Sequence, residues 1–136
     1  MANDATWVET TDGGLLKQLF GYFPTLHDAV IRSFEIDRGA NRVTMDVYYR
    51  DAVGEAGAGD LAVTFRLEWT GVRSFDAPLG EVNLYGLDFV RKGRDLVTNL
   101  EVYPGVFATI VSESVEATLT QVDARLDDEL AWIRVR

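Results

Sequence analysis

The chain contains one histidine and no cysteine. His27 is followed directly by Asp28. Such a doublet is a general base and its orienting carboxylate only where the two side chains point the same way. In an extended stretch, neighbours point to opposite faces. A serine triad would draw on Ser33, Ser74, Ser112 or Ser114, and none of these stands in a nucleophile-elbow motif. Metal phosphohydrolases that carry a His-Asp doublet need several further histidines, and there are none. No spaced Asp/Asn loop of the EF-hand kind occurs. Gly54, Gly57 and Gly59 lack the Lys-Ser/Thr and the strand–loop–helix setting of a phosphate cradle. The residue types therefore define no catalytic set, no cofactor site and no metal site. The simplest duty for His27 is a hydrogen bond that locks a junction, with Asp28 tying down a turn. The competing expectation is a small ligand-binding or enzymatic domain with a pocket near His27.

The elements around this doublet read as follows. A chain of 136 residues fits one domain, 1–136, with one core. Residues 1–11 read as a polar lead-in, with Trp7 to Thr10 as a short edge strand. Leu15/Leu19 and Leu16/Phe20 are four apart and predict a short helix capped by Thr11 or Asp12. Gly21 and Pro24 end it. Val30, Phe34 and Ile36 then alternate with Ile31, Ser33, Glu35 and Asp37, and Arg32 interrupts the pattern. Gly39-Ala40-Asn41 turns the chain into Val43, Met45, Val47 and Tyr49, a hairpin pattern. The stretch 51–60 is acidic and glycine-rich, and reads as a flexible loop. Leu61, Val63, Phe65, Leu67 and Trp69 alternate without a break with Ala62, Thr64, Arg66 and Glu68, which predicts one buried and one wet face.

Val72 to Phe75 reads as continued pairing of that strand, ahead of a turn at Pro78 and Gly80. Val82, Leu84 and Leu87 begin another strand, with a bulge at Gly86, and Leu96, Thr98, Leu100 and Val102 the next; Phe107 to Val111 and Val115 to Val122 read as two more strands or one long bent strand. A last one spans Leu130 to Val135. Turns fall at Lys92–Asp95, Pro104–Gly105 and Asp127–Asp128. The sum is an α+β domain of mostly antiparallel β-sheet, about eight strands, with one short N-terminal helix packed on it.

Net charge is −9, from 22 acidic and 13 basic residues. This argues against direct binding to nucleic acid or anionic lipid, which need a basic footprint. It favours a basic protein partner. The candidate contacts are the outward strand acids Glu35, Asp37, Asp46 and Glu68, together with Asp51, Glu55 and Asp60 from the glycine-rich loop. No apolar run is long enough to span a membrane. The first residues lack the basic and apolar regions of a secretory signal, so a cytoplasmic protein is the expectation.

The segment Leu19-Phe20-Gly21-Tyr22-Phe23-Pro24-Thr25-Leu26-His27-Asp28-Ala29, with the strand from Val30 to Arg38 after it, resembles immunity protein family 50 of bacterial polymorphic toxin systems. Phe23-Pro24, His27-Asp28-Ala29 and Asp37-Arg38 carry the resemblance. Val30 departs from it, standing where the family most often has Glu. The resemblance implies a non-enzymatic antitoxin that binds a cognate toxin domain and holds it inactive. The negative charge points to a basic nuclease as that toxin. Phe23, Pro24, His27, Asp28 and Ala29 match the family motif and are expected to be structural. Outward variable positions are the expected toxin contacts.

Overall fold

A computed structural model describes residues 2–53, 59–76, 84–102, 106–126 and 133–134. The strands are β1 (Val30–Asp37), β2 (Arg42–Val53), β3 (Gly59–Thr70), β4 (Ser74–Asp76), β5 (Leu84–Lys92), β6 (Asp95–Val102), β7 (Val106–Ser112), β8 (Ser114–Leu126) and β9 (Ile133–Arg134). They form two antiparallel sheets, in the orders β1-β2-β3-β8-β9 and β4-β7-β6-β5. Two short helices, α1 (Ala2–Glu9) and α2 (Gly13–Phe20), complete an α+β domain that is mostly antiparallel sheet. No helix among the described residues is long and apolar enough to cross a membrane.

The two inner faces meet in one core. Val63, Phe65, Leu67 and Trp69 of β3 are all buried, as their alternation predicts, and so are Leu87, Phe89, Leu96 and Ile110 of the second sheet. The Trp69 indole donates to Thr98 Oγ1 at 2.8 Å, so two buried polar groups satisfy each other across the core.

Trp7 sets its ring edge-on to Phe89 at 5.2 Å and Phe65 at 6.2 Å, touching both sheets at once. This corrects the reading of residues 1–11 as a lead-in with an edge strand. Trp7 buried beside exposed Val8 fits a strand's alternation. The burial of Thr6, Trp7 and Thr10 together belongs to a helical face, and Thr10 Oγ1 closes the turn by donating to Trp7 O at 2.7 Å. Gly13 is forced by this packing, since a Cβ there would lie 1.8 Å from Trp7 O.

In α2, Leu16 and Phe20 are buried, and Leu15 and Leu19 pack against the core. Gly21 (φ 84°) ends it in the left-handed conformation, with its N–H on Lys17 O at 2.7 Å. Asp12 sits at the N-cap but makes no side-chain cap. Its carboxylate instead accepts the Leu119 N–H of β8 at 2.7 Å, and its own N–H donates to Ala117 O at 3.0 Å. The adjacent Thr11 N–H donates to the Glu116 carboxylate. The α1–α2 junction thus covers part of the β8 edge, which would otherwise expose unpaired backbone.

Two further expectations are corrected. Val72 to Phe75 does not prolong β3. The chain turns at Gly71 (φ 61°) and enters the second sheet, where Ser74 pairs with Val111. The returning chain changes sheets at Glu113, whose N–H donates to Thr70 O and Gly71 O at 3.1 and 3.2 Å. The two crossings therefore run side by side. In β1, the pairing skips Arg32, with Ile31 opposite Val47 and Ser33 opposite Asp46. This bulge changes the phase, so Ile31, Phe34 and Ile36 share the inner side and Val30 does not.

The 51–60 stretch is shorter as a loop than its glycines suggest, because β2 runs to Val53 and β3 starts at Gly59. The bulge at Gly86 and the turn at Gly93-Arg94 are present. Of the closing strand, Ile133–Arg134 is described and pairs with β8. The turns at Pro78–Gly80, Pro104–Gly105 and Asp127–Asp128, and residues Gly54, Glu55, Gly57 and Val82, lie outside the described residues.

Candidate partner-binding face and the adjoining loop

The loop 21–29 carries α2 into β1. Pro24, Leu26 and Ala29 are buried and Phe23 is half-buried, so this part of the loop packs into the fold. Leu26 (φ 64°) and Asp28 (φ 65°) both take the left-handed conformation, unusual for a non-glycine residue. The Ala29 N–H donates to Leu26 O at 3.1 Å and closes the turn. Thr25 O accepts the Leu87 N–H of β5 at 2.8 Å. Since β5 is an edge of the second sheet, the loop ties both sheets to α2.

His27 and Asp28 project outward, with side chains 65% and 78% exposed. The left-handed Asp28 defeats the opposite-face rule of extended chain: His27 Nδ1 lies 3.0 Å from Asp28 Oδ2. The backbone bonds of Thr25 and Ala29 and the buried side chain of Leu26 hold the junction, and the turn at Leu26–Asp28 carries the His27 ring towards solvent.

Beside this loop, Tyr22 Oη donates to Asp51 Oδ2 and lies 2.8 Å from Tyr49 Oη. The two phenols and the Asp51 carboxylate thus form one hydrogen-bonded cluster. Burial, then the bonds to Asp51 and Tyr49, hold the Tyr22 phenol far above the usual range. Burial first also raises Tyr49. Both phenols stay protonated at neutral pH and act as hydrogen-bond donors rather than as bases or nucleophiles.

The outer face of the first sheet collects most of the sequence-selected acids. Register places Glu35, Thr44, Glu68 and Glu116 in one row across β1, β2, β3 and β8. Ser33, Asp46, Arg66 and Thr118 form the next. Glu35, Asp37 and Glu68 come together, with Arg42, Thr44 and Arg66, around a depression of about 220 Å³. Arg66 grips Asp46 with Nε at 2.8 Å and Nη2 at 3.1 Å, and Ser33 Oγ donates to the same carboxylate at 2.7 Å. The Arg66 bonds chiefly, aided by Ser33 and opposed by burial, hold the Asp46 carboxyl below its ordinary value. Arg42 stands 3.6 Å from Asp37 and 3.8 Å from Glu68, contacts too long for hydrogen bonds. Asp60 lies towards the far end, held by Arg125 at 2.7 Å with Arg50 at 4.0 Å. The bulge residue Arg32 stacks its guanidinium over Tyr48 at 4.7 Å.

Two candidates do not join this face. Asp51 lies on β2 in phase with buried Tyr49, turned to the inner side and bound to Tyr22. Glu55 lies outside the described residues. Charge counting missed the interleaved arginines. Their positions were legible as period-two outward sites, but the partner of each depends on register, which one strand's sequence does not contain.

A cleft of about 590 Å³ opens where the loop meets β5 and β6, lined by Thr25, Gly86, Leu87, Asp88, Asn99 and Glu101. His27 is two residues from Thr25 but does not line it. Among the described residues, no group of three or more His, Asp or Glu is placed to hold a metal ion. Comparison with known protein families, curated proteins and solved structures finds no match.

Proposed function

We propose that this chain is a non-enzymatic immunity protein that works in the cytoplasm, binds a cognate toxin domain and neutralises it. The single observation that carries the reading is the outer face of the first sheet. It is solvent-exposed, broad and densely charged, and its arginines fix two of its carboxylates, Asp46 and Asp60, in position. A partner must match an ordered pattern of both signs there, which is how a binder discriminates one target among relatives. The motif 23–29 and the net charge of −9 support the same reading. A basic nuclease is the toxin class that such a charge would attract.

The test takes as partner a toxin domain from the reading frames that neighbour this chain's own. Glu35 and Glu68 are the acids to reverse, because neither takes part in a short ion pair. The double Lys variant should associate more slowly and with a flatter salt dependence in stopped-flow mixing. Unchanged rates at low and high salt move the contact surface elsewhere. No binding to any neighbouring toxin defeats the immunity reading itself.

The cleft at Thr25 favours a second reading, a ligand-binding or enzymatic domain with its pocket close to His27. Its apolar floor at Leu87 and its polar rim of Asp88, Asn99 and Glu101 suit a small polar ligand. Glu101→Ala would then weaken ligand binding and leave toxin binding intact.

A further inference from the structure

A second surface, at the end of the β1–β2 hairpin, shares Asp37 and Arg42 with the outer face and adds features that the toxin reading does not use. Ile36 is one of the few large apolar side chains exposed among the described residues, at 44%. It borders a cavity of about 370 Å³ whose apolar wall continues through Val72 and Phe75. Arg38, Arg42 and Arg73 stand around this cavity, with Asp37 the one carboxylate among the residues lining it. Carboxylates outside the lining answer two of the three, Glu68 for Arg42 and Asp95 for Arg73, which leaves Arg38 as the cation of this cavity without a carboxylate partner among the described residues. Arg38 has no side-chain partner among the described residues. Arg73 meets Asp95 through Nε at 3.3 Å, and Arg42 makes only its long contacts to Asp37 and Glu68.

The walls are fixed by backbone. Val72 N–H donates to Asn41 O, and Arg73 N–H to Val111 O, each at 2.8 Å. These bonds pin the hairpin end and the sheet-crossing segment on either side of the opening. Along one rim runs β1, an edge strand of its sheet. Its pairing is regular from Ser33 to Asp37, after the bulge. An edge strand presents backbone donors and acceptors to an extended chain laid beside it.

We propose that this cavity receives the C-terminal residue of an extended peptide chain: an aliphatic side chain among Ile36, Val72 and Phe75, and a terminal carboxylate on Arg38 and Arg73. An apolar wall beside Arg38, with the Nη groups of Arg73 left over from its Nε contact with Asp95, selects an amphipathic carboxylate over a bare anion, because neither half of the site is satisfied by the other's ligand. The adjoining strand edge selects a peptide over a free small acid, since only a chain can pair with Ser33–Asp37 while its end occupies the cavity.

The probe is the acetylated pentapeptide Thr-Val-Thr-Val-Leu with a free carboxylate, titrated into the ¹⁵N-labelled protein. The amides of Ile36, Val72 and Phe75 and those of β1 should shift and saturate together. The C-terminal amide of the same peptide should bind about tenfold more weakly, the factor expected for a lost charge-assisted hydrogen bond. Acetyl-leucine should also bind about tenfold more weakly, having no strand to add. Arg38→Gln, at an exposed site, should weaken the free-acid peptide and leave the rest of the spectrum in place. Arg73→Gln is the second variant, read only if its spectrum keeps native dispersion. Equal binding of acid and amide, displacement of the peptide by equimolar inorganic phosphate, or no shift at the cavity would each overturn the proposal. Equal binding of acetyl-leucine and the pentapeptide would overturn the assignment to a peptide end. The readout needs no toxin, so its failure is distinguishable from failure of the immunity reading.

Discussion

Asp12 offers the sharpest test of how the helices are held. Its carboxylate accepts the Leu119 N–H at 2.7 Å, and Leu119 is 4% exposed. Asp12→Ala leaves that amide at a buried position with no acceptor. An orphaned donor of this kind costs about 1–3 kcal/mol, and bonds to charged acceptors lie in the upper half of that range. No cap penalty is added, because the side chain caps nothing in α2. The main-chain bond from residue 12 to Ala117 O survives the substitution, which limits the loss. The expected destabilisation is therefore about 2 kcal/mol. Asp12→Asn keeps a carbonyl acceptor without the charge and should lose about half as much. Urea unfolding followed by tryptophan fluorescence measures both, as a lower midpoint at unchanged slope. An alanine variant within about 0.5 kcal/mol of the parent would show that the junction does not depend on this carboxylate.

Three other outcomes are expected. Trp7→Ala should cost about 3–5 kcal/mol in the same assay, since it empties a site between the sheets, and a loss near zero would place Trp7 outside the core. His27→Ala should change stability by less than about 0.5 kcal/mol, because the side chain is 65% exposed, and a loss several times larger would give the ring the junction role its sequence position suggests. Asp46 has a folded-state pKa below the ordinary 3.8, so its contribution is fully present above that value and is lost as pH falls through the folded one. The stability gap between the parent and Asp46→Asn should hold from neutrality to about pH 5 and close at lower pH, and a gap as wide at pH 3 as at pH 7 would be inconsistent with the Arg66 grip.

What the sequence made legible depended on whether one element's own periodicity decided it. Leu61 to Trp69 needed only local alternation, and Gly21 only a left-handed stop. Trp7 was misread because two periods, 2 and 3.6, both put Trp7 in and Val8 out over so short a stretch. Thr6 and Thr10 separate the two patterns only once their burial is known. The sheet change at Gly71 leaves no mark on periodicity, since Phe75 of β4 falls in the phase of β3, whereas at Glu113 the buried positions pass from Ala108, Ile110 and Ser112 to Val115, Ala117 and Leu119. Asp12 looked like a cap because its type and position fit one. Its actual partner is Leu119, 107 positions away, and no local rule reaches that far. The cluster of Glu35, Asp37 and Glu68 was legible as outward acids, while their arginine neighbours came from register across three strands.

That register changes what charge can mean for recognition. If the outer face attracted a basic partner by simple excess of carboxylates, removing an arginine from it would help. Arg66→Gln provides this test. It makes the face more negative, frees Asp46 from its bidentate grip and leaves the sheet's apolar side untouched. Long-range steering alone predicts a faster association rate with the toxin at low salt, with dissociation little changed. Recognition of a fixed pattern predicts the reverse emphasis, because Asp46 loses the partner that sets its position and the row Ser33–Asp46–Arg66–Thr118 loses its cation. The reading proposed for this protein requires the second result: a dissociation rate raised about tenfold, and an association rate changed by less than about threefold. A faster association rate with unaltered dissociation would show that the arginines dilute the interface, and the carboxylates alone would then carry the contact.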